Sequence, residues 1–169
     1  MNQQAFLGIF DPLRDRMYRL SLRLLVSKEA AEDAVQEVLL KLWERKEKLQ
    51  KYDSPQAYAM TIAKNHCLDQ LKSKQNNNLR IVHSNYEENN TPLQKQLEAK
   101  NDFELLQEIM KTLPDQQKAI IQLRDIEEME YEEIAEIMNM NETAVRVALS
   151  RGRKKLREAL LKKHRYGTV

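Results

Sequence analysis

Apolar residues recur at three- and four-residue intervals along most of this chain, and the places where that rhythm stops mark its elements. A short first helix is expected over about 3–10, and Pro12 opens a second that runs to about Val26. Ser27 has the side chain and the position of an N-cap. It predicts a third helix over about 28–50 with the stripe Ala31, Val35, Val38 and Leu42, and with Trp43 and Leu49 near its end. Ser54-Pro55 places a cap ahead of a proline at the first helical position, predicting a fourth helix to about Lys74. Its buried stripe is Met60, Ala63, Cys67 and Leu71. From 75 to 91, QNNNLRIVHSNYEENNT holds six Asn and neither a helical nor a strand period, which predicts a linker. Thr91-Pro92 restarts helix, and Leu113-Pro114 starts another that carries Ile120, Ile121 and Leu123.

The last periodic stretch, YEEIAEIMNMNETAVRVALSRGRKKLR over 131–157, reads as two helices joined by a tight turn. Ile134, Met138, Met140 and Val145 fall where two steeply crossing helices share a core, and Ala135 is small where they come closest. Asn139 sits at the turn, one of the few residue types that tolerate a left-handed backbone. In the second helix Val145, Leu149, Gly152 and Leu156 make one stripe, and Arg146, Ser150, Arg153 and Arg157 another, flanked by Arg151 and Lys154. Such a helix fits a DNA major groove and can bring guanidinium groups to base edges and phosphates.

Charge sharpens this picture. The chain's formal net charge of +2 hides a partition: 140–169 has nine Lys or Arg against two acids, while 102–139 has three against eleven. A basic helix is most often a solvated face; here the basic block coincides with the second helix of the motif, which favours nucleic acid. Three Gly and four Pro in 169 residues, with periodic stripes through most of the length, argue for an all-α protein of two small helical domains joined by a flexible linker. The expected boundaries are 1–75 for the N-terminal domain, 76–101 for the linker and 102–169 for the domain with the helix-turn-helix. A single cysteine, Cys67, permits no intrachain disulfide and suits a reducing compartment. MNQQAFLGIF does not read as a signal peptide, and no run approaches the roughly 20 apolar residues that span a bilayer, so a cytoplasmic protein without membrane insertion is expected.

The fourth helix carries a second candidate surface. Tyr58, Thr61, Asn65, Asp69 and Lys72 form a polar stripe with Lys64 beside it, preceded by Trp43 and Tyr52 among Arg45, Lys46, Lys48 and Lys51. Rings interleaved with cations suit single-stranded nucleic acid, where bases stack and phosphates meet ammonium groups. The plainer alternative has Trp43 in a small core and Asn65 with Asp69 as an i,i+4 pair. Catalysis finds little support. His66 and Cys67 are adjacent and so point to different faces of a helix, and His83 and His164 have no metal-ligand spacing to Cys67. No glycine loop for phosphate is present. No catalytic residue, metal or cofactor is expected.

With these residues in view, the chain resembles the bacterial RNA polymerase sigma factors of the extracytoplasmic-function (ECF) type. AEDAVQEVLLKLWE (31–44) is similar to the family's helix that docks on the clamp of the polymerase largest subunit, SPQAYAMTIAKNHCLDQLK (54–72) to its helix facing the promoter −10 element, and 113–160 to its −35-binding domain. The resemblance implies polymerase contacts by Glu32, Asp33, Gln36 and Glu37, and −10 contacts by Tyr58, Lys64, Asn65, Asp69 and Lys72, with 46–58 bordering a captured unpaired base. It implies −35 contacts by Arg146, Ser150, Arg151, Arg153 and Lys154. It also implies three partners: core RNA polymerase, promoter DNA and an inhibitory anti-sigma factor, often membrane-bound. Two departures stand out. Lys72, Ser73 and Lys74 replace a more basic end of the −10 helix, and Val147 with Ala148 replaces a polar pair after Arg146, removing base readers. The rival readings are a stand-alone helix-turn-helix regulator, which a missing dimerisation stripe after Leu160 disfavours, and a protein-binding adaptor, which leaves the basic segment unexplained.

Overall fold

The computed structural model describes residues 1–81 and 101–166, and every regular element among them is helical. Helix α1 (Gln3–Phe10) starts where Asn2 Oδ1 accepts a hydrogen bond from the Ala5 N–H at 2.8 Å, and a 3₁₀ turn at Asp11–Leu13 leads into α2 (Arg14–Leu25). Ser27 caps α3 (Lys28–Glu44), its Oγ accepting from the Ala30 N–H at 3.2 Å. The expected single helix to residue 50 breaks at Arg45, where φ is −103°, and a one-turn α4 (Lys46–Leu49) follows. The break turns Leu49 into the core, where it is 1% exposed. Ser54 Oγ accepts from the Ala57 N–H at 3.2 Å and starts α5 (Pro55–Ile81). That helix passes its expected end at Lys74 by seven residues, because no Gly or Pro stops it and Asn and Gln oppose helix by only tenths of a kcal/mol each, about 0.3–0.7. The rest of the expected linker and the restart at Thr91-Pro92 lie outside the described residues.

The second half comprises α6 (Asp102–Thr112), α7 (Asp115–Ile121), a π-helical turn at Gln122–Ile126, α8 (Tyr131–Met138) and α9 (Glu142–Tyr166). Phe6, Phe10, Met17, Leu20, Leu24, Val38, Leu42 and Met60 fill the first half, and Leu105, Ile120, Leu123, Ile134, Ile137, Val145 and Leu149 the second. Burying such side chains contributes roughly 1.5–3 kcal/mol each. Gly152 lies where α9 crosses α7: a Cβ there would fall 2.7 Å from Ile121 Cδ1, so glycine permits the close crossing.

The halves also pack on each other. Helix α2 lies against α7 and the π-helical turn, and α5 lies against α8, so the apolar cluster is continuous from one half to the other. Arg19 and Arg16 of α2 reach the buried Glu127, and Arg23 donates to Gln122 Oε1 at 3.0 Å and Gln107 Oε1 at 2.6 Å.

Candidate nucleic-acid interface

The helix-turn-helix forms as its apolar spacing requires. The α8 backbone turns left-handed at Asn139 (φ 52°), and Asn141 Oδ1 accepts from the Ala144 N–H at 2.7 Å to cap α9. Val145, Ala148, Leu149 and Gly152 are buried, while Arg146, Ser150, Arg151, Arg153, Lys154 and Arg157 are exposed along the opposite side. A convex row of cations on the second helix of such a motif has the shape and sign of a major groove reader. Arg153 is not idle on that row. Its Nε donates to Asp125 Oδ2 at 3.1 Å and its Nη2 to Oδ1, so a phosphate or base must compete with a carboxylate for it.

Sequence reading did not single out Tyr131 or Arg124. The Arg146 guanidinium carbon lies 4.2 Å from the centre of the Tyr131 ring and that of Arg124 lies 4.4 Å from it. Beside them, a cleft of about 280 Å³ is lined by Tyr131, Arg146, Leu149, Ser150, Arg153 and Arg157. An aromatic residue opening the first helix of the motif was the signal available in the sequence.

On α5, Asn65, Asp69 and Lys72 are exposed and Tyr58 is half-buried, a connected polar face. Lys64 departs from the expectation. It falls in register with Met60, Cys67 and Leu71, its side chain is 6% exposed, and burial pushes its ammonium pKa down. Tyr58 and Tyr52 stack with ring centres 4.3 Å apart and planes 15° from parallel, and Arg45 Nη1 donates to the Tyr58 hydroxyl at 3.2 Å. Tyr52 is 45% exposed, so this stack offers an open aromatic face. Trp43 serves the core as well, meeting Phe6 edge-on at 5.1 Å while Lys46 Nζ sits 3.6 Å above its ring.

Glu32, Asp33, Gln36 and Glu37 are all exposed on one side of α3, opposite the buried Ala31, Ala34, Val35 and Val38. His66 is engaged: Lys41 Nζ donates to its Nδ1 at 3.1 Å, and the Gln70 amide lies 3.2 Å from Nε2. Burial first, and the Lys41 charge second, hold its pKa below the usual histidine value. Cys67 is fully buried, which pushes its thiol pKa up and away from nucleophilic use. Among the described residues no cluster of His, Cys, Asp and Glu is placed to hold a metal ion, and no helix is long and apolar enough to cross a membrane.

Two family models match this chain. Residues 9–77 match the family described as sigma-70 region 2, and residues 103–156 the family described as sigma-70 region 4. The chain is 26% identical to the ECF RNA polymerase sigma factor SigW of Bacillus subtilis, over 94% of this chain and 90% of that protein. It is 28% identical to the ECF RNA polymerase sigma factor SigE of Mycolicibacterium smegmatis, over 88% of this chain and 58% of that protein. Among solved structures, the sigma factor RpoE of Bartonella quintana, crystallised with the anti-sigma factor NepR, has a similar fold, with a TM-score of 0.74. The two share 21% identity over 93% of this chain and 97% of that one.

Proposed function

We propose, on the premise that the chain belongs to the extracytoplasmic-function sigma factors, that its two helical halves divide promoter recognition between them. The protein binds core RNA polymerase and directs initiation of transcription at specific promoters. In the proposed division, Glu32, Asp33, Gln36 and Glu37 of α3 meet the clamp of the largest subunit. The α9 row of Arg146, Ser150, Arg151, Arg153 and Lys154 enters the −35 major groove. Tyr58, Asn65, Asp69 and Lys72 face the −10 element, and the Tyr52–Tyr58 stack receives an unpaired base. The domains are drawn at 1–75 and 102–169, with 76–101 between them.

Duplex opening then needs no bond chemistry, and the chain is not an enzyme. Base–aromatic stacking contributes about 1–3 kcal/mol per base, enough to offset much of the few kcal/mol lost on unstacking. An anti-sigma partner, of the kind that holds the B. quintana protein, completes the reading; it is a binder of this chain in the cytoplasm, itself membrane-bound or not. The observation that carries the proposal is the exposed cationic side of α9, set in a helix-turn-helix behind a region 2 match. A stand-alone regulator has no use for residues 9–77.

The test is reconstitution. Purified chain is mixed with core polymerase, and run-off transcription is followed on a genomic promoter pool. Specific start sites that appear only with the chain are the expected result; a chain that neither binds core enzyme nor gives specific starts refutes the reading. Arg151→Ala should weaken −35 binding by about 1–3 kcal/mol if its base contact is bidentate. Arg153→Ala should cost less, since Asp125 already shares its guanidinium.

A further inference from the structure

We infer that Tyr131 is a positioning residue for promoter recognition, its ring setting the stance of the Arg146 guanidinium before DNA arrives. The inference rests on the proposed role of α9 and deepens it. Both guanidinium carbons, of Arg124 and of Arg146, lie within 4.4 Å of the centre of one ring. One ring therefore serves both cations. Of the three groups, Arg124 is the fixed member: it is half-buried, and its Nη1 donates to the Met129 carbonyl at 2.8 Å. Tyr131 is half-buried as the first residue of α8. Arg146 is the exposed member, and no carboxylate among the described residues pairs with it. Asp125 is committed to Arg153 and Glu127 to Arg19.

This stance matters more here than on a recognition helix rich in polar readers. Between Ala144 and Leu149 the only side chain able to hydrogen-bond is Arg146: Val145 and Ala148 are buried, and Val147 is 42% exposed but apolar. Residues near the start of a recognition helix are the ones that reach base edges. Guanine reading at that depth rests on one guanidinium, which would otherwise spread over many rotamers. Ordering that side chain beforehand removes an entropic cost from binding. The adjoining cleft leaves the guanidinium open to the groove while the ring stays against it.

The experiment is a selection from a randomised duplex pool by the intact chain bound to core polymerase, followed by affinity measurements on the selected −35 duplex. The variants are Tyr131→Phe, Tyr131→Leu, Arg146→Ala and the double Tyr131→Leu/Arg146→Ala. An exposed cation–ring contact corresponds to about two- to fivefold in affinity, so Tyr131→Leu should weaken binding by that factor while Tyr131→Phe stays near wild type. The loss should fall at the same base pair whose preference Arg146→Ala removes, and the double variant should bind no worse than Arg146→Ala alone. Wild-type affinity in Tyr131→Leu, an equal loss on every sequence, or penalties that add in the double variant would overturn the inference while leaving the sigma-factor reading intact. A wild-type complex that selects no sequence overturns both.

Discussion

Arg19 and Glu127, 108 residues apart in the chain, are joined by two parallel hydrogen bonds, Nε to Oε1 at 2.5 Å and Nη2 to Oε2 at 2.7 Å. The pair is lopsided: the Arg19 side chain is 45% exposed and that of Glu127 only 2%. Removing the carboxylate lets Arg19 return to water, whereas removing the guanidinium leaves a buried charge with only Arg16 at 3.8 Å and the Gln122 amide at 3.4 Å.

Arg19→Met should therefore destabilise the packing of the two halves more than Glu127→Gln does. Breaking a buried pair from the exposed side costs about 3–5 kcal/mol at most, and the loss of a partly exposed pair about 1 kcal/mol. Energy transfer between dyes on α3 and α9, followed through a urea titration, reads the difference. Equal effects from the two variants would refute the asymmetry.

Lys64 and Lys72 were grouped together by sequence, yet one is buried and the other exposed on α5. Lys72→Met should lower affinity for a −10 duplex and reduce its salt dependence by about one ion, while Lys64→Met leaves both alone. Lys64→Met should instead raise stability by about 1 kcal/mol, since an apolar side chain of similar length suits its site. Affinity against salt, together with thermal melting, separates the two.

Val26 ends α2 with φ at 66°, a left-handed backbone that a β-branched residue adopts at a cost of roughly 1–2 kcal/mol. It is 49% exposed, so little packing compensates. Val26→Gly should recover most of that strain, less the entropy glycine adds to the unfolded chain, for a net gain of about 0.5–1 kcal/mol. A fall in melting temperature would show that the Val26 side chain contributes more than its exposure indicates.

His66 gives the fold a pH dependence of known sign. Burial and Lys41 lower its folded pKa, with Glu37 and Asp69 opposing them. The unfolded chain therefore takes up this proton first, near the ordinary value of about 6.5. Stability from this group is full above that pH and is lost as pH falls below it. The melting temperature of His66→Gln should decline less between pH 7 and 5.5 than that of the wild type.

Local signals in the sequence carried most of the architecture. Ser27, Ser54 and Asn139 each do in the structure what their residue type and position indicated, because caps and left-handed turns depend on only a few neighbouring atoms. The interior stripe Val145, Leu149 and Gly152 was equally plain. What escaped depends on partners distant in sequence. Nothing near Glu127 announces Arg19, nothing near Arg153 announces Asp125, and the ring beneath Arg146 lies fifteen residues upstream. Lys64 is hidden for another reason: its charge points to a solvent face, while its register with Met60 and Cys67 puts it inside. Arg45 breaks a periodic stripe without any Gly or Pro to mark the spot.

The contact of α5 with α8 sets a limit on reach. Elements centred 25 base pairs apart are separated by roughly 85 Å of duplex at 3.4 Å per step. A compact body of this size has a radius of gyration near 15 Å. Held together in one such body, the two proposed readers span far less than that distance. On the proposed division of promoter reading, bringing both elements within reach would require α8 to leave α5, and the contact that closes the free protein would be given up at a promoter.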